Sequence, residues 1–305
     1  MWIPLTLLSA VGAAGTGLAL KRTLGAGGLI ASTVAYRAAG GIVLLALLVG
    51  GGLGAPLGAD YAVATALVIP LEIVGTLAFS LALRAGDLSL VQPLFGLMPV
   101  TVTLGGALLL GERPTPEAFA GVALVASGVY ELGLGGERGV LAPFRALARD
   151  PAGRWAGVSI LAWSLTTVLH RVGIAASGPM PWAVTLALGS AVAMALVAPL
   201  LPRSLRETAE AETLKAEPPG TEPPEASRWW LWVVASGALY AVQQVGLQFA
   251  LSEAPAGYVT ALASTSILLA VVAGMVFLGE RGAGHSRLVG GGLVTLGAAV
   301  VAMYG

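Results

Sequence analysis

Ten long apolar runs, separated by short breaks, decide what this chain can fold into. They lie near 2–20, 27–50, 60–83, 87–110, 116–135, 154–174, 180–201, 229–251, 255–278 and 286–304. A helix that crosses a bilayer takes ~20 mostly apolar residues, because each residue advances it by only ~1.5 Å. Inside the hydrocarbon every backbone N–H and C=O must be satisfied within the protein, so spanning segments are helices or closed barrels. The runs are continuous rather than alternating, which excludes a barrel. Only 10% of the residues are charged and 56% are hydrophobic, too little charge to clothe a soluble domain of this length. The sequence therefore predicts an all-α, multi-pass integral protein of the cell membrane with ten transmembrane helices. The first run is not read as a cleaved leader, since Lys21 and Arg22 follow its apolar stretch and no basic residue precedes it.

The runs fall into two sets of five. Leu110-Gly111-Glu112-Arg113 returns as Leu278-Gly279-Glu280-Arg281, each time between the fourth and fifth run of its set. In the same register Ala82 matches Ala250, Leu83 matches Leu251, Val91 matches Val259 and Gly106 matches Gly274; after one inserted residue Gly121 and Gly128 meet Gly290 and Gly297. The expected organisation is a first five-helix repeat over 1–135, a basic connection over 136–153, and a second repeat over 154–305. Five is odd, so the second repeat enters the membrane in the opposite sense and the two are inverted, related by an axis in the membrane plane. The connection carries Arg138, Arg145 and Arg149 among Val140, Leu141, Phe144 and Leu147, which fits either a short interfacial helix or an irregular basic loop. Residues 202–228 hold six glutamates and five prolines, too little apolar surface to order themselves, and are expected to be a flexible tether.

Alternate breaks face opposite sides. Of the 16 lysines and arginines, only Arg113 and Arg171 fall on one side, Arg37 lies within a run, and all others fall on the second side. The positive-inside rule makes that second side cytoplasmic and puts both termini outside.

Chemistry that needs clustered ligands or nucleophiles is missing from the pattern. There is no cysteine, the two histidines (His170 and His285, both placed near run ends) lie in no metal-binding spacing, and no glycine-rich loop precedes a lysine. No catalytic residue, metal or cofactor is expected, and a net charge of +0 gives no handle for nucleic acid.

What remains polar inside the runs is the candidate site. Glu72 lies mid-run in Val-Ile-Pro-Leu-Glu-Ile-Val-Gly, where a carboxylate costs ~2.5–3.5 kcal/mol to insert and must face protein or water. Arg37 lies about as far before the turn between runs two and three as Glu72 lies after it, so antiparallel helices bring the two to one depth. The pair reads either as a coupling or substrate contact or as a static bridge. Tyr240, Gln243 and Gln244 share one helical face at i, i+3 and i+4, with Gln248 one turn on, and read as a cavity lining or as interhelical hydrogen bonds. By register Tyr240 is the counterpart of Glu72. Trp163 sits mid-run beside Ser164, Thr166 and Thr167, where it stacks either on a solute or on the core. Thr260, Ser264, Thr265, Ser266, Ser32 and Thr33 are weaker lining candidates. The other tryptophans (Trp2, Trp155, Trp182, Trp229, Trp230 and Trp232) fall at run ends, as interfacial anchors do. Gly111, Glu112 and Arg113, with Gly279, Glu280 and Arg281, read as helix-turn elements with a structural or gating role: a glycine cap, followed in the first repeat by Thr115-Pro116-Glu117 opening a helix.

The ten-helix plan, the paired Gly-Glu-Arg motifs and their glycine-spaced helices resemble the EamA-like branch of the drug/metabolite transporter (DMT) superfamily. So do Tyr36-Arg37 early in run two, Ala82-Leu83 before run four and Pro99-Val100 within it. The resemblance implies a secondary transporter that carries small metabolites, often amino acids or related compounds, through a cavity between the halves by alternating access. Two features depart from the pattern: Ser266-Ile267 replaces Met98-Pro99 in the second repeat, and the basic bias places the termini outside, opposite to the usual family arrangement. The expected partners are a small polar or amphipathic solute, the bilayer and protons, with homodimerisation left open. Alternatives are a lipid or lipid-linked sugar flippase, or a non-transporting membrane partner or sensor docking through residues 202–228.

Overall fold

The computed structural model describes residues 1–51, 58–133, 150–201, 228–278 and 284–304, and every regular element among them is helical. They are α1 (Trp2–Ala26), α2 (Leu29–Gly51), α3 (Ala59–Ala85), α4 (Leu88–Leu94), α5 (Met98–Leu110), α6 (Pro116–Gly133), α7 (Pro151–Ser177), α8 (Pro179–Val184), α9 (Ser190–Val197), α10 (Trp229–Glu253), α11 (Ala256–Ala263), α12 (Thr265–Phe277) and α13 (Gly284–Tyr304). Seven helical stretches are long and apolar enough to cross a membrane: Trp2–Gly25, Leu29–Gly51, Ala59–Ala85, Pro151–Ser177, Pro179–Leu200, Trp229–Glu253 and Ala256–Phe277. Phe95–Leu110 and Val289–Val301 are shorter apolar helices. Residues 134–149 of the connection, 202–227 of the acidic segment, and Gly279, Glu280 and Arg281 of the second motif lie outside the described residues.

The fourth run is not one helix. α4 stops at Leu94, a tight 3-10 turn spans Phe95–Leu97, and α5 restarts at Met98 with Pro99 in its first turn. Proline has no N–H for the preceding turn and its ring crowds the carbonyl behind it, so the two helices cannot merge smoothly. The ninth run is divided too, at Ser264 between α11 and α12. Ser264 is the register counterpart of Gly96 inside the first break.

Short turns set neighbouring helices antiparallel. Gly27 and Gly28 join α1 to α2, Gly86 and Asp87 join α3 to α4, and Gly178 alone joins α7 to α8 at φ 85°, a left-handed backbone that glycine adopts without a Cβ clash. Gly111 ends α5 at φ 66°, and the Glu112 N–H reaches back to the Gly106 carbonyl at 3.1 Å. Thr115 caps α6 by accepting the Ala118 N–H at 3.1 Å, and Asp150 caps α7 by accepting that of Ala152 at 3.0 Å.

Pairing is long-range. α1 lies along α10, α3 along α7 and α6 along α13, while α2 packs on α10 and on the α8–α9 stretch. Small residues allow the approach: a Cβ on Gly12 would fall 2.5 Å from the Gln243 nitrogen, and one on Gly128 2.5 Å from that of Val294. The outer surface is apolar, with Leu108 83%, Leu196 73% and Val49 73% exposed. That distribution suits a lipid solvent and would be an aggregation liability in water.

Candidate functional site

α2 delivers Tyr36 and Arg37 to the interior, and α3 delivers Glu72, Thr76 and Phe79 from one face at i, i+4 and i+7. The Arg37 guanidinium meets Glu72 Oε2 at 2.9 Å, with the two side chains only 2% and 6% exposed. Its remaining nitrogens are engaged as well. Nε donates to the Tyr36 hydroxyl at 3.3 Å, Nη1 to Ser190 Oγ at 3.1 Å, and Nη2 also to Thr76 Oγ1. The Tyr240 ring covers its face, 4.8 Å from the guanidinium carbon, and stands edge-on to Tyr36 with centroids 5.6 Å apart. A buried ion pair is tolerated only when such additional bonds satisfy what the pair leaves over, and here four helical segments contribute them.

Glu72 has a second neighbour that the sequence did not indicate. His170 Nε2 lies 3.8 Å from Glu72 Oε1, beyond hydrogen-bond reach. On its other side the imidazole accepts the Trp182 indole N–H on Nδ1 at 3.3 Å, which leaves the single hydrogen of the neutral ring on Nε2, facing the carboxylate. The sixth run, read as ending at 174, continues to Ser177 as α7, so His170 sits deeper than a run-end residue. Trp182 is not an interfacial anchor: it is fully buried and faces His170. Trp155 and Trp230, 40% and 59% exposed, do lie at the surface.

These groups line a cavity with about 170 Å³ of water-accessible space. On a scale where one water takes roughly 10–15 Å³, that holds a solute of roughly ten non-hydrogen atoms. Arg37, Glu72, Tyr240, Gln243, Gln244 and Trp163 all border it, as do His170, Thr260, Ser264 and Ser266. One wall is aromatic: Trp163 stands 5.1 Å from Phe79 and 5.8 Å from Phe95, and those two rings 5.3 Å from each other. Gln248 is fully buried and donates to Gln244 Oε1 at 2.8 Å, so it orients the lining amide from behind. Ser32 and Thr33 do not reach the cavity; Ser32 accepts the Trp229 indole N–H at 3.1 Å, and Thr33 bonds Leu29 O and Ser80.

At one end of the bundle the first Gly-Glu-Arg motif ties the two sets of helices together. Glu112 Oε1 pairs with Arg171 Nη1 of α7 at 3.3 Å and accepts the Ala256 N–H that opens α11 at 3.4 Å. Arg171 also donates to the Ala254 carbonyl at 2.5 Å. Arg113 is exposed and takes no part. Elsewhere Lys21 of α1 donates to the Leu83 and Gly86 carbonyls, each at 2.5 Å; Gly86 is the register counterpart of Ala254. No cluster of metal-ligating side chains occurs among the described residues.

Residues 1–133 match the family model of the EamA-like transporter family. A protein crystal structure superposes with a TM-score of 0.71 at 20% identity, covering 99% of both chains, a likeness of fold. None of the curated proteins matches the chain.

Proposed function

We propose that the chain, whose residues 1–133 match the EamA-like transporter family, is a multi-pass membrane transporter of the DMT type and a secondary carrier of a small polar or amphipathic metabolite, amino-acid-like or related. The observation that carries this is the cavity at Arg37 and Glu72, an intramembrane charge pair beside an aromatic wall and a row of amides. Intramembrane ionisable groups mark solute or proton paths by default. Glu72 is the group that exchanges the coupling proton, and Arg37 holds it in place.

The carrier works by alternating access between two inverted repeats, 1–135 and 154–305, with ten spans. Three features support that reading. The contact of α1 with α10 has its repeat-exchanged counterpart in α7 with α3. The breaks at Phe95–Leu97 and Ser264 fall at one register position. Lys21 on Gly86 and Arg171 on Ala254 repeat one cation-to-turn contact. Both termini face outside, and a cysteine introduced at position 2 should be labelled by an impermeant maleimide in intact cells; labelling only after lysis would reverse the orientation.

The test is metabolite profiling of cells and medium at equal expression of wild type and Glu72→Gln. A compound class that crosses the membrane with wild type alone supports both carrier and coupling residue. Transport by both variants would remove Glu72 from the mechanism, and no shift with either would overturn the carrier.

A further inference from the structure

Every threonine in the cavity wall has spent its hydrogen. A hydroxyl has one hydrogen to donate and two lone pairs to accept with. Thr16, Thr166, Thr167, Thr260 and Ser264 all border the cavity, and each donates its hydrogen to a carbonyl of its own helix: Gly12, Trp163, Trp163, Ala256 and Thr260, at 2.6–3.1 Å. What they present to a solute is therefore lone pairs. The guanidinium has spent four of its five N–H groups, on Tyr36, Ser190, Thr76 and Glu72, which leaves one Nη1 hydrogen, and the Tyr240 ring caps its face. Glu72 is less fully bonded. Its Oε2 serves Arg37, but among the described residues Oε1 takes no hydrogen bond and has only His170, 3.8 Å away. The donors left over among the described residues, the Gln92, Gln243 and Gln244 amides, the Ser9, Tyr36, Tyr240 and Ser266 hydroxyls and the His170 Nε2–H, are uncharged.

From this asymmetry we infer that the solute is a protonated primary amine without a carboxylate, seated with its ammonium on Glu72 Oε1 and its apolar body against Phe79, Phe95 and Trp163. The inference rests on the transporter reading of the same cavity and narrows its substrate class. An ammonium brings three N–H donors, which the wall's lone pairs and Oε1 accept, and a cation gains further from nearby aromatic faces. Arg37 opposes the bound cation, but it lies behind Oε2 and under Tyr240, while the ammonium sits one hydrogen bond from Oε1; the nearer charge dominates. A zwitterion brings the same ammonium together with a carboxylate that finds at most one N–H of an Arg37 already paired with Glu72. A quaternary ammonium has no N–H to give. The frame fits the space, since an aryl ring on a two-carbon amine has about nine non-hydrogen atoms against room for roughly ten.

The experiment uses the purified full chain in nanodiscs and four probes of one shape: phenethylamine, phenethyl alcohol, phenylacetate and phenylalanine. Calorimetry should show phenethylamine binding at least tenfold tighter than each of the others, and Glu72→Gln should erase that preference. If Glu72→Gln does not fold, Thr167→Val with Thr260→Val removes two lone-pair sites and should weaken phenethylamine severalfold more than phenethyl alcohol, which brings one hydrogen to the wall rather than three. Equal or tighter binding of phenylalanine or phenylacetate would overturn the amine, as would an amine preference that survives Glu72→Gln or no binding by any probe. Counterflow of labelled phenylalanine in proteoliposomes separates the two readings: flux there alongside weak amine binding keeps the carrier and discards the amine.

Discussion

Removing either member of the Arg37–Glu72 pair should cost more than removing both would lead one to expect. Truncating one partner of a buried pair costs about 3–5 kcal/mol, because the other charge stays buried and uncompensated. The two ends of that range belong to different variants. In Glu72→Gln the guanidinium keeps Tyr36, Ser190 and Thr76 as acceptors, and the new amide oxygen still accepts, so the loss should be about 3 kcal/mol. In Arg37→Met the carboxylate keeps only His170, at 3.8 Å, and three hydroxyls lose their donor, so the loss should approach 5 kcal/mol, that is about the top of the range. The double variant holds no buried charge and loses the neutral bonds, at about 1 kcal/mol each, with some packing; about 4 kcal/mol is expected. The two single losses then exceed the double by about 4 kcal/mol, well above the ~0.6 kcal/mol typical of neutral interhelical hydrogen bonds in membranes. Unfolding in mixed micelles by titration with sodium dodecyl sulfate, followed by tryptophan fluorescence, measures all four proteins. A coupling below about 1 kcal/mol, the value of one neutral hydrogen bond, would mean that the hydroxyls alone hold Arg37 and that the ion pair is incidental.

Arg171→Ala should open the end of the bundle that Glu112 and Arg171 hold together. The chain has no cysteine, so one placed at Thr260 reports directly, and its modification by a hydrophilic maleimide should speed up severalfold; an unchanged rate would deny the contact a gating role. Gly12→Leu should destabilise the protein by at least about 1–3 kcal/mol through overpacking, since even its Cβ falls 2.5 Å from the Gln243 nitrogen. Gly25→Ala, with nothing within 4 Å, should be neutral in the same titration. Trp182→Phe removes the N–H on His170 and should cost about 1 kcal/mol for the lost hydrogen bond, plus the contacts of the larger ring; a stability equal to wild type would show that the indole N–H does not hold the imidazole.

The sequence exposed the features that obey a period and hid those that depend on three-dimensional approach. Arg37 and Glu72 are equidistant from one turn, which is enough to bring them to one depth, and the structure has them 2.9 Å apart. Tyr240, Gln243 and Gln244 share a helical face and border one cavity. Pro99 is the one local sign of the interruption in run four, and an apolar run conceals a break that keeps its hydrophobicity. Ser264 gave no local sign, and only its register with Gly96 points to the second interruption. His170 and Trp182 lie at the ends of apolar runs yet are buried, because the end of an apolar run is not a membrane boundary. α7 passes its apolar run by three residues, to Ser177, and the single-glycine turn at Gly178 folds Trp182 back onto it.

In the proposed duplication Glu72 and Tyr240 hold one register position, and Arg37 touches both, one by charge at 2.9 Å and the other by its ring face at 4.8 Å. A single cation thus lies between two equivalent positions that have diverged in chemistry. The packing that brings them there is similar, since α3 lies along α7 as α10 lies along α1, and packing constrains backbone approach more than side-chain identity. The asymmetry has a physical consequence: the carboxylate side leaves Oε1 unbonded, and the ring side closes over the guanidinium. The cavity consequently offers negative charge from α3 and shields positive charge with the Tyr240 ring of α10.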